Sequence, residues 1–116
     1  MKVEERTFGD VTILDVDGRM TAESPERLFC VTVRHLLRQG RIQFLVNLER
    51  VPYIDSTGLA DIMEAYATTT RQGGAFKLEH LSLHVRELLR ITALLTVLDV
   101  FESEATALAS FGTAAF

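Results

Sequence analysis

The chain has 116 residues, of which 47% are hydrophobic and 24% are charged, a composition typical of one globular domain. Its formal net charge of −4 gives no general attraction to nucleic acid or anionic lipid, so neither is expected as a partner. No apolar run approaches the roughly 20 residues that a membrane span needs, and residues 1–6 lack the apolar region of a signal peptide. We therefore expect a cytoplasmic protein without direct membrane insertion. It should form a single domain over residues 1–116, with a core at about 2–111 and a loose tail at 112–116.

Strand and turn signals precede one helical pattern in the first third of the chain. Residues 2–7 predict a polar edge strand, residues 8–10 a turn, and residues 11–16 a second strand antiparallel to the first. Ser24-Pro25-Glu26 combine a capping serine, a proline at the first helical position and an early acid, so a helix should begin there. Its inward stripe is predicted to comprise Leu28, Val31, His35 and Leu36, widened by Cys30, Val33 and Leu37, with the end at Gly40.

The middle of the chain predicts a buried strand, a short loop and an amphipathic helix. Residues 42–48 are nearly continuous in apolar side chains, as expected of a central strand covered on both faces. A helix should follow, starting at Asp55 and Ser56 and running to about Gln72. Helical spacing places Leu59, Ile62, Met63, Tyr66 and Ala67 on its inward face.

The last third predicts two more strands and two more helices. Residues 75–79 predict a short strand, Ser82 caps a helix carrying Val85, Leu88 and Leu89, and residues 97–101 predict the last strand. Ser103 and Glu104 open a final helix with Ala105, Leu108 and Ala109 inward. The alternation indicates the α/β class, with a mixed sheet of four to five strands, about four helices and an antiparallel edge hairpin.

The turn after the buried strand is the candidate functional site. It presents two adjacent hydroxyls, Ser56 and Thr57, beside the Asp55 carboxylate, and sites in such sheets gather at the carboxyl ends of parallel strands. Spacing alone favours a simple helix cap for Ser56, contributing about 1 kcal/mol. Gly58 has no side chain, so another backbone could approach closely there.

The same residues carry a resemblance to a known family. The run from Asp55 to Leu59, Asp-Ser-Thr-Gly-Leu, preceded by Val-Pro-Tyr-Ile at 51–54, resembles the signature of STAS domains. It is most similar to that of the bacterial anti-anti-sigma factors, also called anti-sigma factor antagonists. The resemblance extends from residue 9 to about residue 109. It includes the sequences at 9–14, 18–20 and 85–89 in matching order.

The resemblance implies a STAS fold and a regulatory binding protein that is not an enzyme and uses no cofactor. In that family the unphosphorylated protein binds an anti-sigma factor, usually a serine kinase with a GHKL-type ATP-binding fold, and a sigma factor is released. Phosphorylation of the first hydroxyl after the aspartate, which matches Ser56, ends binding, and a phosphatase restores it. The implied contact surface comprises Asp55, Ser56, Thr57, Gly58, Tyr53, Asp61 and Ile62, with Arg19, Met20 and Thr21 from the loop after the second strand. Asp55 has two open roles, capping the turn and engaging the kinase.

Other functions fit the sequence less well. Ser56 lacks the Gly-x-Ser-x-Gly elbow of a hydrolase, and no histidine spacing supplies a general base. His80 and His84 are four residues apart but straddle a strand-to-helix boundary, so we expect two solvated histidines and no metal site. A nucleotide sensor would have to use the same helix start, because no Gly-rich phosphate loop of the P-loop type is present. A stand-alone STAS subunit of an ABC-type lipid transporter is the main alternative, and the oligomeric state is open.

Two positions depart from the family pattern. Leu83 replaces a common proline, and Ala93 stands where a glycine usually takes the left-handed conformation at a helix end. We expect Ala93 to be strained, unless the helix runs further. Cys30, the single cysteine, lies within an apolar helical pattern and is expected to be an inert core thiol.

Overall fold

The computed structural model describes residues 1–24 and 27–112. In this part of the chain the strands are β1 (Lys2–Phe8), β2 (Val11–Asp17), β3 (Gln43–Arg50), β4 (Ala75–Glu79) and β5 (Asp99–Phe101). The α-helices there are α1 (Leu28–Arg38), α2 (Ser56–Arg71), α3 (Leu83–Ile91) and α4 (Glu104–Ser110). The predicted α/β class is confirmed, as are its mixed five-stranded sheet and four helices. No helix within the described ranges is long and apolar enough to cross a membrane.

The sheet has the order β1-β2-β3-β4-β5, and its connections bring the loops of the candidate site to one edge. β1 and β2 form the predicted antiparallel hairpin, whereas β2, β3, β4 and β5 are parallel to one another. The carboxyl ends of β2, β3 and β4 therefore lie at the same edge, where sites of parallel sheets form. The loops after these three strands meet there.

Helices cover both faces of the sheet and bury two separate cores. The larger core lies between α1, α2, α3 and one sheet face, and includes the fully buried Phe29, Phe44 and Leu89. The smaller core lies on the other face, where Ala107 and Phe111 pack against Ile13 and Leu45. A central β3 with apolar residues on both faces is what its nearly continuous apolar sequence predicted.

The inward face of α1 includes the predicted Cys30, Val33, Leu36 and Leu37 but differs from the prediction at Phe29, Val31 and His35. Its buried residues are Phe29, Cys30, Val33, Leu36 and Leu37, whereas Val31 and His35 are exposed. The stripe through Phe29, Val33 and Leu36 contains the largest side chain of the helix, so rotating it inward buries more apolar area than the predicted stripe would.

The start of α1 also differs from the prediction. The helix begins at Leu28, after Arg27 in the left-handed conformation at φ 51°. The Ser24 hydroxyl belongs to the preceding loop instead, where it donates to the Arg19 carbonyl oxygen and accepts from the Thr21 amide. The predicted proline and acid at Pro25 and Glu26 lie outside the described residues.

The phase of α4 was likewise predicted incorrectly. Ala107 is its fully buried residue and Leu108 is partly buried, whereas Ala105 and Ala109 are exposed. The first residue, Glu104, accepts two hydrogen bonds from the Arg6 guanidinium of β1, and this contact is consistent with the observed rotation of the short helix.

The connection from α3 to β5 contains the backbone strain that the sequence suggested. α3 ends at Ile91, and Ala93 adopts φ 64°, so the first of the two expected alternatives is confirmed. Residues Leu94–Thr96 form a 3₁₀ turn, which shortens the predicted last strand to Asp99–Phe101. Of the predicted tail at 112–116, residues 113–116 lie outside the described residues.

The strain at Ala93 gives a stability prediction. An Ala93→Gly variant should be more stable than the wild-type chain by about 0.5–1 kcal/mol. Glycine relieves a left-handed cost of about 1–2 kcal/mol and adds a smaller entropic cost in the unfolded chain. Urea denaturation monitored by circular dichroism would measure the difference. The matched control is Ala67→Gly within α2, which should lose about 1 kcal/mol through helix propensity. A loss of stability in Ala93→Gly would contradict the assignment of strain.

Candidate functional site

The turn between β3 and α2 has the capping geometry predicted for Asp55, whereas Ser56 is not the cap that spacing alone favoured. Asp55 is the N-cap of α2, and its Oδ1 accepts a hydrogen bond from the Gly58 amide at 2.9 Å. Ser56 and Thr57 follow as the first two helical residues, and both are exposed. The helix start therefore presents a serine and a threonine to the surroundings at the carboxyl edge of the sheet.

Asp55 has a second contact that the sequence did not reveal. Its Oδ2 accepts a hydrogen bond from the Ala22 amide at 2.9 Å, which ties the loop after β2 to the start of α2. The amides of Gly58 and Ala22 stabilise the charged form of Asp55, so they hold the pKa of its carboxyl below the ordinary range. Of the two roles left open for Asp55, capping is confirmed, and kinase engagement stays a prediction.

Gly58 is packed against the loop after β2. An added Cβ at Gly58 would lie 2.1 Å from the Met20 carbonyl oxygen. That carbonyl also accepts from the Asp55 amide at 3.2 Å, and the Met20 amide donates to the Tyr53 carbonyl at 3.2 Å. The close backbone approach expected at Gly58 is therefore made by this chain itself, and the space predicted for a partner is filled by Met20.

An exposed stack of three side chains flanks the turn. The Arg19 guanidinium lies 4.7 Å from the centre of the Tyr53 ring, and the His84 ring stacks on Tyr53 at 4.6 Å and 30°. His84 Nε2 also lies 3.4 Å from the Ile54 carbonyl oxygen. His84 was expected to be simply solvated, so its stacking on the site is a finding of the tertiary structure.

The other histidines face different partners. His80 Nδ1 lies 3.2 Å from Glu79 Oε1, and His35 Nε2 lies 3.3 Å from the side-chain nitrogen Nε2 of Gln39. His80 and His84 thus belong to separate environments, as their positions across a strand-to-helix boundary predicted. Within the described ranges, no group of three or more His, Cys, Asp or Glu side chains is arranged to hold a metal ion.

An open cavity of about 560 Å³ lies beside the turn. It brings together residues of the loop after β2 and of the β3–α2 turn, which are distant in sequence. The predicted contact residues on its walls are Arg19, Thr21, Tyr53 and Asp55, and Ala22, Glu23 and Ser24 complete the same side. Ser56, which is exposed, directly follows Asp55 on the wall of this cavity.

Four predicted contact residues are buried, namely Gly58, described above, and three others. Met20 is 1% exposed, Ile62 is 0% exposed and Asp61 is 7% exposed. The Asp61 carboxylate accepts from the Arg27 guanidinium at 2.7 Å, and this ion pair joins the start of α1 to α2. These buried residues pack beneath the predicted contact surface, so the part of that surface that a partner can reach is smaller than the sequence suggested.

Cys30 is buried in the core, as predicted, and it lies beside Asp61. Its Sγ lies 3.5 Å from the Asp61 carbonyl oxygen. Burial and the nearby Asp61 carboxylate raise the pKa of the Cys30 thiol to about 11, so the thiol is protonated at neutral pH. This protonated, enclosed state is consistent with an inert core residue.

Comparison with known proteins assigns the family. The STAS domain family matches residues 2–107, so the chain belongs to the STAS domain family. Over 55 residues it is 40% identical to the anti-sigma-B factor antagonist of Bacillus subtilis strain 168, a match that covers 47% of this chain. The chain thus spans about half the length of that relative, since the match covers 50% of it.

Solved structures share the fold at low sequence identity. A Thermotoga maritima protein has a TM-score of 0.87 at 21% identity, covering 93% of this chain and 92% of its own. The anti-sigma factor antagonist SpoIIAA in its unphosphorylated form has a TM-score of 0.78 at 14% identity, and the match covers 95% of this chain and 96% of that chain. A sulfate transporter family protein from Wolinella succinogenes has a TM-score of 0.71 at 21% identity, and the match covers 87% of this chain and 84% of that chain. At these identities the likeness concerns the fold alone.

Proposed function

We propose that this chain is an anti-sigma factor antagonist that is regulated by phosphorylation at Ser56. In this proposal the unphosphorylated chain binds a cytoplasmic anti-sigma factor, itself a serine kinase of the GHKL type, and thereby releases a sigma factor for transcription. The kinase ends binding by phosphorylating Ser56, and a serine phosphatase restores it. The chain is then a substrate and a regulator, not an enzyme.

One observation carries this proposal. Ser56 is exposed as the first residue of α2, at the edge of the sheet where three loops meet, and it directly follows Asp55, which lines a cavity of about 560 Å³. A kinase can therefore reach the hydroxyl without unfolding the chain. The name of the Bacillus subtilis relative and the phosphorylated form of SpoIIAA among structures of this fold support the same function.

Elementary electrostatics describes how phosphorylation would act. A phosphate adds about −1.5 to −2 charges at neutral pH. The free amides and the dipole at the start of α2 favour that charge, so the helix should persist. The Asp55 carboxylate already uses both oxygens to accept backbone amides, so it stays in place beside the phosphate. The added charge and volume therefore act on a docked partner, and the fold is retained.

A pull-down from the native lysate tests the proposal. The baits are the wild-type chain, Ser56→Asp as a phosphate mimic, and Thr57→Asp as a matched control at the adjacent hydroxyl. We expect the wild-type chain to capture an ATP-binding serine kinase, and Ser56→Asp to capture at least about tenfold less, the ratio that a loss of about 1.4 kcal/mol produces. Incubation with that kinase and ATP should phosphorylate the wild-type chain but not Ser56→Ala, as measured by mass spectrometry.

Two outcomes would contradict the proposal. Equal capture of transporter subunits by the wild-type and Ser56→Asp baits would favour the ABC-type lipid transporter subunit and leave Ser56 as a helix residue only. NMR chemical shifts that change throughout the phosphorylated chain would contradict local blocking, because the proposal confines the changes to the start of α2 and its neighbours.

A further inference from the structure

The start of α3 carries the most exposed large apolar side chain in the described part of the chain. Leu83, the first residue of α3, is 87% exposed. Its neighbour His84 stacks on Tyr53 at 4.6 Å, and its ring nitrogen lies 3.4 Å from the Ile54 carbonyl oxygen. Because Ile54 is two residues before Ser56, Leu83 lies on the same edge of the sheet as the proposed phosphorylation site.

The side chains between Leu83 and Ser56 are of the types that dominate protein interfaces. Tyrosine and arginine are enriched among the residues that contribute most to binding, and an aliphatic or aromatic anchor that fills a pocket of the partner is a common feature of interfaces. Tyr53 is 37% exposed, and its ring contacts both the Arg19 guanidinium and the His84 ring. The stack is therefore already ordered, which lowers the entropic cost of binding.

Arg19 makes this surface suitable for a negatively charged group on the partner. Among the described contacts, its guanidinium faces the Tyr53 ring and forms no ion pair with a carboxylate. The nearby Asp55 carboxylate accepts the amides of Gly58 and Ala22, so its oxygens are already engaged. A guanidinium carries five N–H donors in a planar fork, and these fit a planar carboxylate.

We propose that the partner-binding surface extends from Ser56 across Arg19 and Tyr53 to Leu83, and that the anti-sigma partner offers an apolar recess for Leu83 and a carboxylate for Arg19. The inference rests on the proposed function and adds the start of α3 to the surface that the sequence predicted. Continuity with the turn carries it, since His84 joins α3 directly to Tyr53 and Ile54.

The other end of α3 supplies a matched control. Ile91 is an exposed apolar residue of the same helix, with 66% of its surface exposed. It lies eight residues from Leu83, about 12 Å along the helix axis. Leu83→Asp and Ile91→Asp therefore make the same kind of change near the site and away from it. An acid at the first position of a helix is favourable, so Leu83→Asp should keep the fold.

The test measures binding of the serine kinase purified from the wild-type pull-down, by isothermal titration calorimetry. We expect Leu83→Asp and Arg19→Glu each to weaken binding by about tenfold or more, as loss of an interface anchor does. Ile91→Asp should bind within about twofold of the wild-type chain. Arg19→Lys should fall between Arg19→Glu and the wild-type chain, because it keeps the charge but not the planar edge.

The outcomes separate this inference from the proposed function. If Leu83→Asp binds as tightly as the wild-type chain while Ser56→Asp does not bind, the surface stops short of α3 and this inference is wrong, whereas the proposed function stands. If Leu83→Asp and Ile91→Asp weaken binding equally, the effect is not specific to this edge and the inference is also wrong. If the wild-type chain captures no kinase, the proposed function fails and this inference fails with it.

Discussion

At pH 9 the Glu79→Gln variant should require more urea to unfold than the wild-type chain, whereas near pH 5 the two should be almost equally stable. Glu79 ends β4 and is 0% exposed. Burial of its carboxyl, together with repulsion from the Glu104 carboxylate beside it, raises its pKa to about 8. The native fold therefore favours a protonated Glu79 at neutral pH.

Other groups around Glu79 oppose one another. The Arg6 guanidinium lowers the Glu79 pKa, whereas the Asp15 carboxylate raises it. Arg6 is already shared between Asp15 at 2.8 Å and Glu104 at 2.8 Å, so its charge is largely committed to these two acids. His80 Nδ1 lies 3.2 Å from Glu79 Oε1 at the end of the strand. A deprotonated Glu79 would add a third carboxylate to this cluster.

The sign of the pH dependence follows from the direction of the shift. In the unfolded chain Glu79 titrates near its ordinary pKa of 4.5, and in the folded chain near 8. The stabilisation of the fold that comes from protonated Glu79 is fully present below about pH 4.5 and is lost as the pH rises through about 8. Between these values the free energy of unfolding falls by up to about 1.4 kcal/mol per pH unit. Carboxyls whose pKa is lowered, such as Asp15, act at more acidic pH and do not produce this slope.

The measurement is a series of urea denaturations between pH 5 and pH 9. The glutamine side chain of Glu79→Gln is neutral at every pH, so the free energy of unfolding of this variant should change less with pH over this range. Glu49→Gln is the control, because it makes the same change at an exposed residue of β3 and should leave the slope unaltered. A slope that survives in Glu79→Gln would mean that other groups cause the pH dependence.

A Gly58→Ala variant should be less stable than the wild-type chain, although helix propensity alone predicts the opposite. Replacing a helical glycine with alanine usually gains about 1 kcal/mol. Here the new Cβ would lie 2.1 Å from the Met20 carbonyl oxygen, and backbone cannot rotate away as a side chain can. We expect a net loss of about 1–3 kcal/mol, the range for overpacked sites.

The same substitution should disturb the candidate site. Moving Met20 would strain the hydrogen bonds by which its backbone joins Tyr53 and Asp55, and the kinase captured by the wild-type chain should bind more weakly. Urea denaturation and calorimetry measure the two effects. Ala60→Gly, at an exposed position of α2, gives the propensity contribution at the same helix end. Unchanged or increased stability of Gly58→Ala would show that the two loops separate at little cost.

Local chemistry made much of the fold predictable from the sequence. Asp55, Ser82 and Ser103 were predicted to begin helices, and each accepts a hydrogen bond from an amide in the first turn of its helix. Gly40 adopts φ 85° just after α1. These features depend on a few neighbouring residues, so their signals survive in a single sequence. The serine of the candidate site was found in the same way, together with the resemblance.

Contacts between distant segments were decided only by the tertiary structure. Ala22 joins the site through its backbone amide, which leaves no trace in residue type, and Met20 fills the space at Gly58 through its carbonyl. The stacking of His84 on Tyr53 required the order of the strands, which places the start of α3 beside the β3–α2 turn. The sequence by itself determined where α2, α3 and α4 begin and which hydroxyl is presented, because capping is local. Only the packed sheet decided which residues surround that hydroxyl, because its edge gathers loops that are far apart along the chain.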